Sequence, residues 1–306
     1  MARLFLTGGA GFIGSAFLKR ALADGHDVMV YDNLSFGQRG FAAVADDRFV
    51  TGDVLDYPLL RASISAFAPE VVVHLAAIHF IPYCNEHPFL SSNVNVTGTH
   101  RVLQAARGIS SVRQVFFAST AAVYPAADCA LSEDVPVGPT DIYGLSKFAG
   151  EELCRAFALE TGVPTAIGRF FNAFGPNETN PHLIPAIMDQ LQTGSRVLRL
   201  GNTATWRDFI HTSDVAAAVQ ALLRHDVRGC ETFNIGSGRE YTAMDVVHAF
   251  ATALGESVEV TVDPARARAS DRPHLLADIG KLRAATGWAP TITLEAGVRE
   301  MVAEWR

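Results

Sequence analysis

Arg3 to Gly14, reading R-L-F-L-T-G-G-A-G-F-I-G, constrains the fold more than any other stretch of the chain. Arg3 to Thr7 is an apolar run of strand length. Phe12, Ile13, Phe17, Leu18, Ala21 and Leu22 then recur at helical spacing, so the glycines fall on a strand-to-helix turn. Gly9, Gly11 and Gly14 satisfy G-x-G-x-x-G, and Gly8, Gly11 and Gly14 give a second reading of the same turn. Glycine is needed there for a tight turn with positive φ, for close approach of backbone to a pyrophosphate, and for close packing of helix on strand. The pyrophosphate would meet unpaired N–H groups at the positive end of the helix dipole. A second strand, Asp27 to Tyr31, runs into Asp32, where a carboxylate can receive the ribose hydroxyls of an adenosine. Asn33, Leu34 and Ser35 follow with no arginine for a 2′-phosphate, so NAD is favoured over NADP.

The 306 residues, 49% hydrophobic and 19% charged, are enough to bury a large core. A net charge of −7 without any Lys/Arg cluster excludes nucleic acid or an anionic membrane as a general partner. The first strand begins at residue 3 and no apolar run reaches membrane-spanning length, so the cytoplasm is the expected compartment. Cys84, Cys129, Cys154 and Cys230 are far apart, which suggests neither a disulfide framework nor a metal site.

Strands continue to alternate with helices, the pattern of a parallel doubly wound α/β sheet. Arg48 to Thr51 reads as a strand leading to Asp53 and Val54, which could flank an adenine. Asp56 to Phe67 reads as a helix, and Val71 to Leu75 as a buried strand ending in the small residues Ala76 and Ala77. Ile78 to Cys84 is apolar but irregular. One helix is expected from Pro88 to Ala106, carrying Asn95, and a fifth strand from Val112 to Ala118, delivering Ser119, Thr120 and Ala121 to its carboxyl edge. Open α/β sheets bind ligands beyond that edge.

Thr140 or Asp141 caps a long helix that stops at Gly162. Tyr143 and Lys147 stand four apart on it and share a face. A lysine ammonium and a helix start beside a phenol are expected to lower its pKa, making Tyr143 a general base near neutral pH.

These motifs resemble the extended short-chain dehydrogenase/reductase family, in its nucleotide-sugar epimerase and dehydratase branch. The likeness rests on T-G-G-A-G-F-I-G (7–14), Y-D-N-L (31–34), G-D-V (52–54), H-L-A-A (74–77), N-V-T-G-T (95–99) and F-A-S-T-A-A-V-Y (117–124). It continues through Y-G-L-S-K (143–147), R-F-F-N-A-F-G-P (169–176), W-R-D-F-I-H-T-S-D-V (206–215), F-N-I-G-S-G (233–238) and G-W-A-P (287–290). It implies a Rossmann domain over 1–168, rejoined at about 211–235, and a smaller α/β nucleotide-sugar domain over 169–210 and 236–306. Around NAD it places Gly8, Gly11, Phe12, Ile13 and Gly14, then Asp32, Asn33, Ser35, Gly37, Asp53 and Val54, then Leu75, Ala76, Ala77, Asn95 and Ser119. It makes Tyr143 the base, has Lys147 bind the nicotinamide ribose, and has Thr120 relay a proton between Tyr143 and the sugar, beside Ala121. Asn172, Leu183 and Ile184 would hold the nucleotide, with Arg207 and Arg268 on its diphosphate and Asp271 on its ribose.

Dehydratases of this family carry Asp-Glu where this chain has Ala121 and Ala122. The resemblance therefore implies NAD-dependent 4-epimerisation of a UDP-sugar of the glucose/galactose type through a 4-keto sugar, with a homodimer as the expected assembly. UDP-glucuronate and UDP-N-acetylglucosamine are alternative substrates. Dehydration or reduction with an acid from Glu133 or Glu178, and a non-catalytic dinucleotide sensor, are alternative functions. His79, Cys84 and the polar loop 177–182 are left without a settled role.

Overall fold

The structure is a computed structural model and describes residues 1–264 and 272–305. Seven parallel strands form the main sheet: β1 (Arg3–Thr7), β2 (Asp27–Asp32), β3 (Phe49–Thr51), β4 (Val71–His74), β5 (Gln114–Thr120), β6 (Thr165–Phe170) and, late in the chain, Cys230–Ile235. Their spatial order is β3-β2-β1-β4-β5-β6 and then the Cys230–Ile235 strand. The order reverses between β1 and β4, and a crevice for ligand opens beyond the carboxyl ends of the strands at such a reversal.

Side chains alternate across this sheet. Leu4 and Leu6 enter the core under α1 (Phe12–Ala23), while Phe5 between them enters the core on the other face, under α2 (Tyr57–Phe67). Phe116 and Phe117 divide in the same way, and each such buried ring contributes on the order of 2 kcal/mol. Sheets covered on both faces read as nearly continuous apolar runs, as Val71, Val72 and Val73 do.

The helix expected from Pro88 to Ala106 is divided. After α3 (Ile81–Glu86) come α4 (Pro88–Ser92), a π-helical turn over Asn93–Gly98, and α5 (Thr99–Ala106). The wider turn lets the buried Asn95 amide accept from Ile78 N at 2.8 Å and donate to Ile78 O at 2.9 Å and Ser146 Oγ at 3.0 Å. It secures the segment after β4, and such bulges gather at functional sites. The fifth strand also sits two residues later than expected. Val112 is occupied in a turn with Ile109, while the ladder with β6 continues as far as Thr120 and Phe170.

Asp141 accepts from Gly144 N at 2.8 Å and starts α6 (Ile142–Thr161), which Gly162 ends at φ +72°. β7 (Asn172–Phe174) follows, then α7 (Leu183–Gln192), β8 (Val197–Leu200), β9 (Trp206–His211) and α8 (Thr212–Arg224), which packs against α1. The Cys230–Ile235 strand is β10. The remaining elements are β11 (Glu240–Thr242), α9 (Ala243–Leu254), β12 (Glu259–Val262), α10 (Gly280–Thr286) and α11 (Leu294–Trp305). β7, β9 and β11 form a mixed sheet, and β8 pairs with β12. Phe174, Ile187, Leu198, Phe209, Phe250 and Val298 fill a separate core beneath these smaller sheets. No helix among the described residues is long and apolar enough to cross a membrane.

Candidate active site

A cleft of about 1690 Å³ runs from the β1 turn, past the ends of β4 and β5, to α7 and β9. At its floor, Gly8 has φ +75°, and a Cβ there would lie 2.6 Å from Ala76 N. A Cβ on Gly14 would overlap the Gly8 carbonyl oxygen, so only glycine lets α1 begin this close to the turn. Gly14→Ala is therefore expected to abolish dinucleotide binding in a fluorescence titration and to lower the thermal midpoint, because the overlapping atoms are backbone and must move together.

Asp32 Oδ2 accepts from Ala10 N at 3.0 Å and Oδ1 from Leu34 N at 2.8 Å. Burial raises its pKa while both backbone bonds lower it. The carboxylate thus ties the glycine turn to β2 and keeps lone pairs for a ribose. Arg39, the first arginine after β2, is occupied with Ala42 O, Val44 O and Asp46. Asn33 donates to Asp53 at 2.8 Å, and Ser35, Gly37 and Val54 complete this end of the cleft. The shape and the donors fit an adenine dinucleotide with a free 2′-hydroxyl.

At the other end, Thr120 closes β5. Its Oγ1 accepts from Ala122 N at 3.1 Å, and Thr120 and Tyr143 line the cleft together. Lys147 lies beneath. Its Nζ donates to Ala118 O at 2.7 Å and sits 4.8 Å from the centre of the Phe117 ring, and burial brings its pKa down to about 8. The expected lowering of the Tyr143 pKa is not met: burial pushes the phenol above its ordinary 10, and the neighbouring Thr120 hydroxyl opposes this. The physical reason is desolvation of the phenol, while the Lys147 ammonium is taken up by the β5 carbonyl and the Phe117 face.

Most residues read from the sequence line this one cleft, including Phe12, Ile13, Leu75, Ala76, Ala77, Ala121, Asn172, Leu183, Ile184 and Arg207. The Asn172 Oδ1 is buried without a hydrogen-bond partner among the described residues. Asn95 does not line the cleft but braces Ile78 from behind. Ser119 lines it, yet its hydroxyl donates to Glu151 at 2.6 Å, so its side chain is occupied in the fold. Glu133 is turned away, accepting from Asn234 N at 2.6 Å, whereas Glu178 faces the cleft. Arg268 and Asp271 lie outside the described residues. Sequence reasoning missed Arg272, which donates to Ala122 O at 3.2 Å and spans the cleft edge.

A doubly wound sheet with a glycine turn, an acid at the end of β2 and a Thr/Tyr/Lys group at the end of β5 defines a dinucleotide-dependent enzyme. Residues 4–236 match the profile of the NAD dependent epimerase/dehydratase family. The chain is 33% identical to a UDP-glucose 4-epimerase of Corynebacterium glutamicum, over 95% of this chain and 92% of that one. It is 32% identical to a UDP-glucose 4-epimerase of Mycolicibacterium smegmatis, over 99% and 98%. Its structure superposes on the UDP-glucose 4-epimerase of Thermus thermophilus complexed with NAD, with a TM-score of 0.89, 30% identity and 99% of each chain covered. The chain belongs to the NAD dependent epimerase/dehydratase family, an enzyme family whose cofactor is NAD.

Proposed function

We propose that the protein interconverts the C4 epimers of a UDP-hexose, using an NAD that stays in the site through each turnover. The observation that carries this reading is the Thr120 and Tyr143 pair above Lys147 on the same edge as Ala121 and Ala122. Thr120 sits where it can pass the 4-hydroxyl proton to the Tyr143 oxygen. Lys147 takes the nicotinamide ribose, and Asp32 takes the adenosine ribose. When bound, NAD supplies the hydride acceptor and donor at C4 and a positive ring charge that favours the Tyr143 phenolate. Ala121 and Ala122 put no acid on that turn, so the 4-keto sugar is not helped to expel water and is reduced again on its other face. Asn172, the first turn of α7 and Arg207 would hold the nucleotide, together with Arg268 and Asp271. Phe89, Leu145 and Leu159, exposed on α4 and α6, support pairing with a second copy of the chain.

The test is to incubate the protein, without added cofactor, with UDP-glucose, UDP-N-acetylglucosamine and UDP-glucuronate, and to follow the sugar C1 and C4 proton signals. The galacto epimer of one of them is the expected product. A stable dehydrated 4-keto sugar, or no change in any of the three, contradicts the reading.

A further inference from the structure

Three side chains of the cleft have no part in the proton relay. His79 follows the end of β4, and Glu178 and His182 lie on the loop between β7 and α7. Glu178 Oε1 is 4.0 Å from His79 Nε2, and Glu178 Oε2 is 3.5 Å from His182 Nδ1. One donor atom from each of the three lies within 4.8 Å of the others. The carboxylate is 5% exposed, while both imidazoles are about one-third exposed toward the cleft.

We propose that His79, Glu178 and His182 form a binding site for a divalent transition-metal ion of the zinc type, with an open position facing the cleft. Two imidazoles and one carboxylate are a donor set that zinc accepts, and three protein ligands leave a fourth place for water or a substrate oxygen. Ligand atoms about 2.0–2.2 Å from such an ion stand roughly 3.4 Å apart, so the present spacing closes with small rotations of the imidazoles. Asn180 Nδ2 now stands 3.2 Å from His79 Nε2, and its backbone N donates to Glu178 Oε1 at 3.1 Å. A metal replaces the first contact and retains the second as support for the carboxylate. His79 and Lys147 line the same cleft, so the ion would face it. The cysteine spacing held no sign of this site, because its ligands come from two segments distant in the chain.

The test uses full-length protein without a histidine tag, stripped with a chelator. It is titrated with Zn²⁺ by calorimetry and with Co²⁺ by visible absorption. A single saturable site with the intense bands of a tetrahedral cobalt centre is expected. Glu178→Gln and His182→Asn should each weaken binding about tenfold or more, with thermal midpoint and NAD affinity unchanged. Absence of saturable binding, or binding indifferent to both substitutions, overturns the proposal. So does a wild type that takes no metal but loses substrate KM in these variants, which would make the cluster a direct sugar contact. None of the metal readouts depends on turnover, so the site and the proposed reaction fail separately.

Discussion

Tyr143→Phe is expected to lower kcat about 10²–10⁴-fold, the range that a positioned proton-transfer group supplies. The substitution removes one oxygen and leaves the half-buried ring in its place on α6. Dinucleotide binding and the thermal midpoint should therefore hold, and the midpoint can rise slightly because a buried phenol is the harder group to desolvate. Single-turnover kinetics with bound NAD would read the chemical step directly. Retention of more than about a tenth of wild-type turnover would remove Tyr143 from proton transfer. A dinucleotide sensor on this fold would keep its NAD affinity and show no turnover to lose.

The second large effect is on stability. Arg169 on β6 places Nε 2.9 Å from Glu151 Oε1 and Nη2 2.7 Å from Glu151 Oε2, a two-pronged pair in which both residues are buried. Glu151 also accepts from Ser119 Oγ and from Arg155 at 3.1 Å, so β5, β6 and α6 are joined beneath Thr120 and Lys147. Arg169→Met should destabilise the protein by about 3–5 kcal/mol, since it leaves Glu151 buried with weaker partners. By differential scanning fluorimetry that is a drop of roughly 5–10 °C in the midpoint. The double variant Glu151→Leu/Arg169→Met should recover part of the loss, because the Glu151 carboxylate is then no longer buried without its Arg169 partner. A single variant within about 2 °C of wild type would show that the pair does not hold these elements together.

The parts of the site that were legible in the sequence are those made by local geometry. Gly8 and Gly14 are dictated by a turn that admits no Cβ, and Asp141, Tyr143, Lys147 and Gly162 by the start, period and end of one helix. The parts that were not legible depend on contacts between distant segments. A π turn shifts the helical period by one residue, so the pattern from Pro88 to Ala106 reads as unbroken although Asn95 interrupts it to hold Ile78. Ser119 stands on the strand edge expected to face cofactor, but its role is decided by Glu151 on another element. The direction of the Lys147 ammonium follows from Ala118 O and Phe117 and from no spacing in α6. The cluster of His79, Glu178 and His182 exists only once the loop after β7 is folded against the segment after β4.

In the proposed reaction hydrogen leaves C4 of the sugar and returns to C4 within one enzyme molecule. This is tested most directly with the UDP-hexose that the enzyme turns over, carrying deuterium at C4, followed by proton and deuterium NMR and by mass spectrometry without added cofactor. The expected result is an epimer that keeps its deuterium at C4, with none passed to water. Loss of the label to solvent, or its appearance at C6 of a dehydrated sugar, would rule out 4-epimerisation by hydride return.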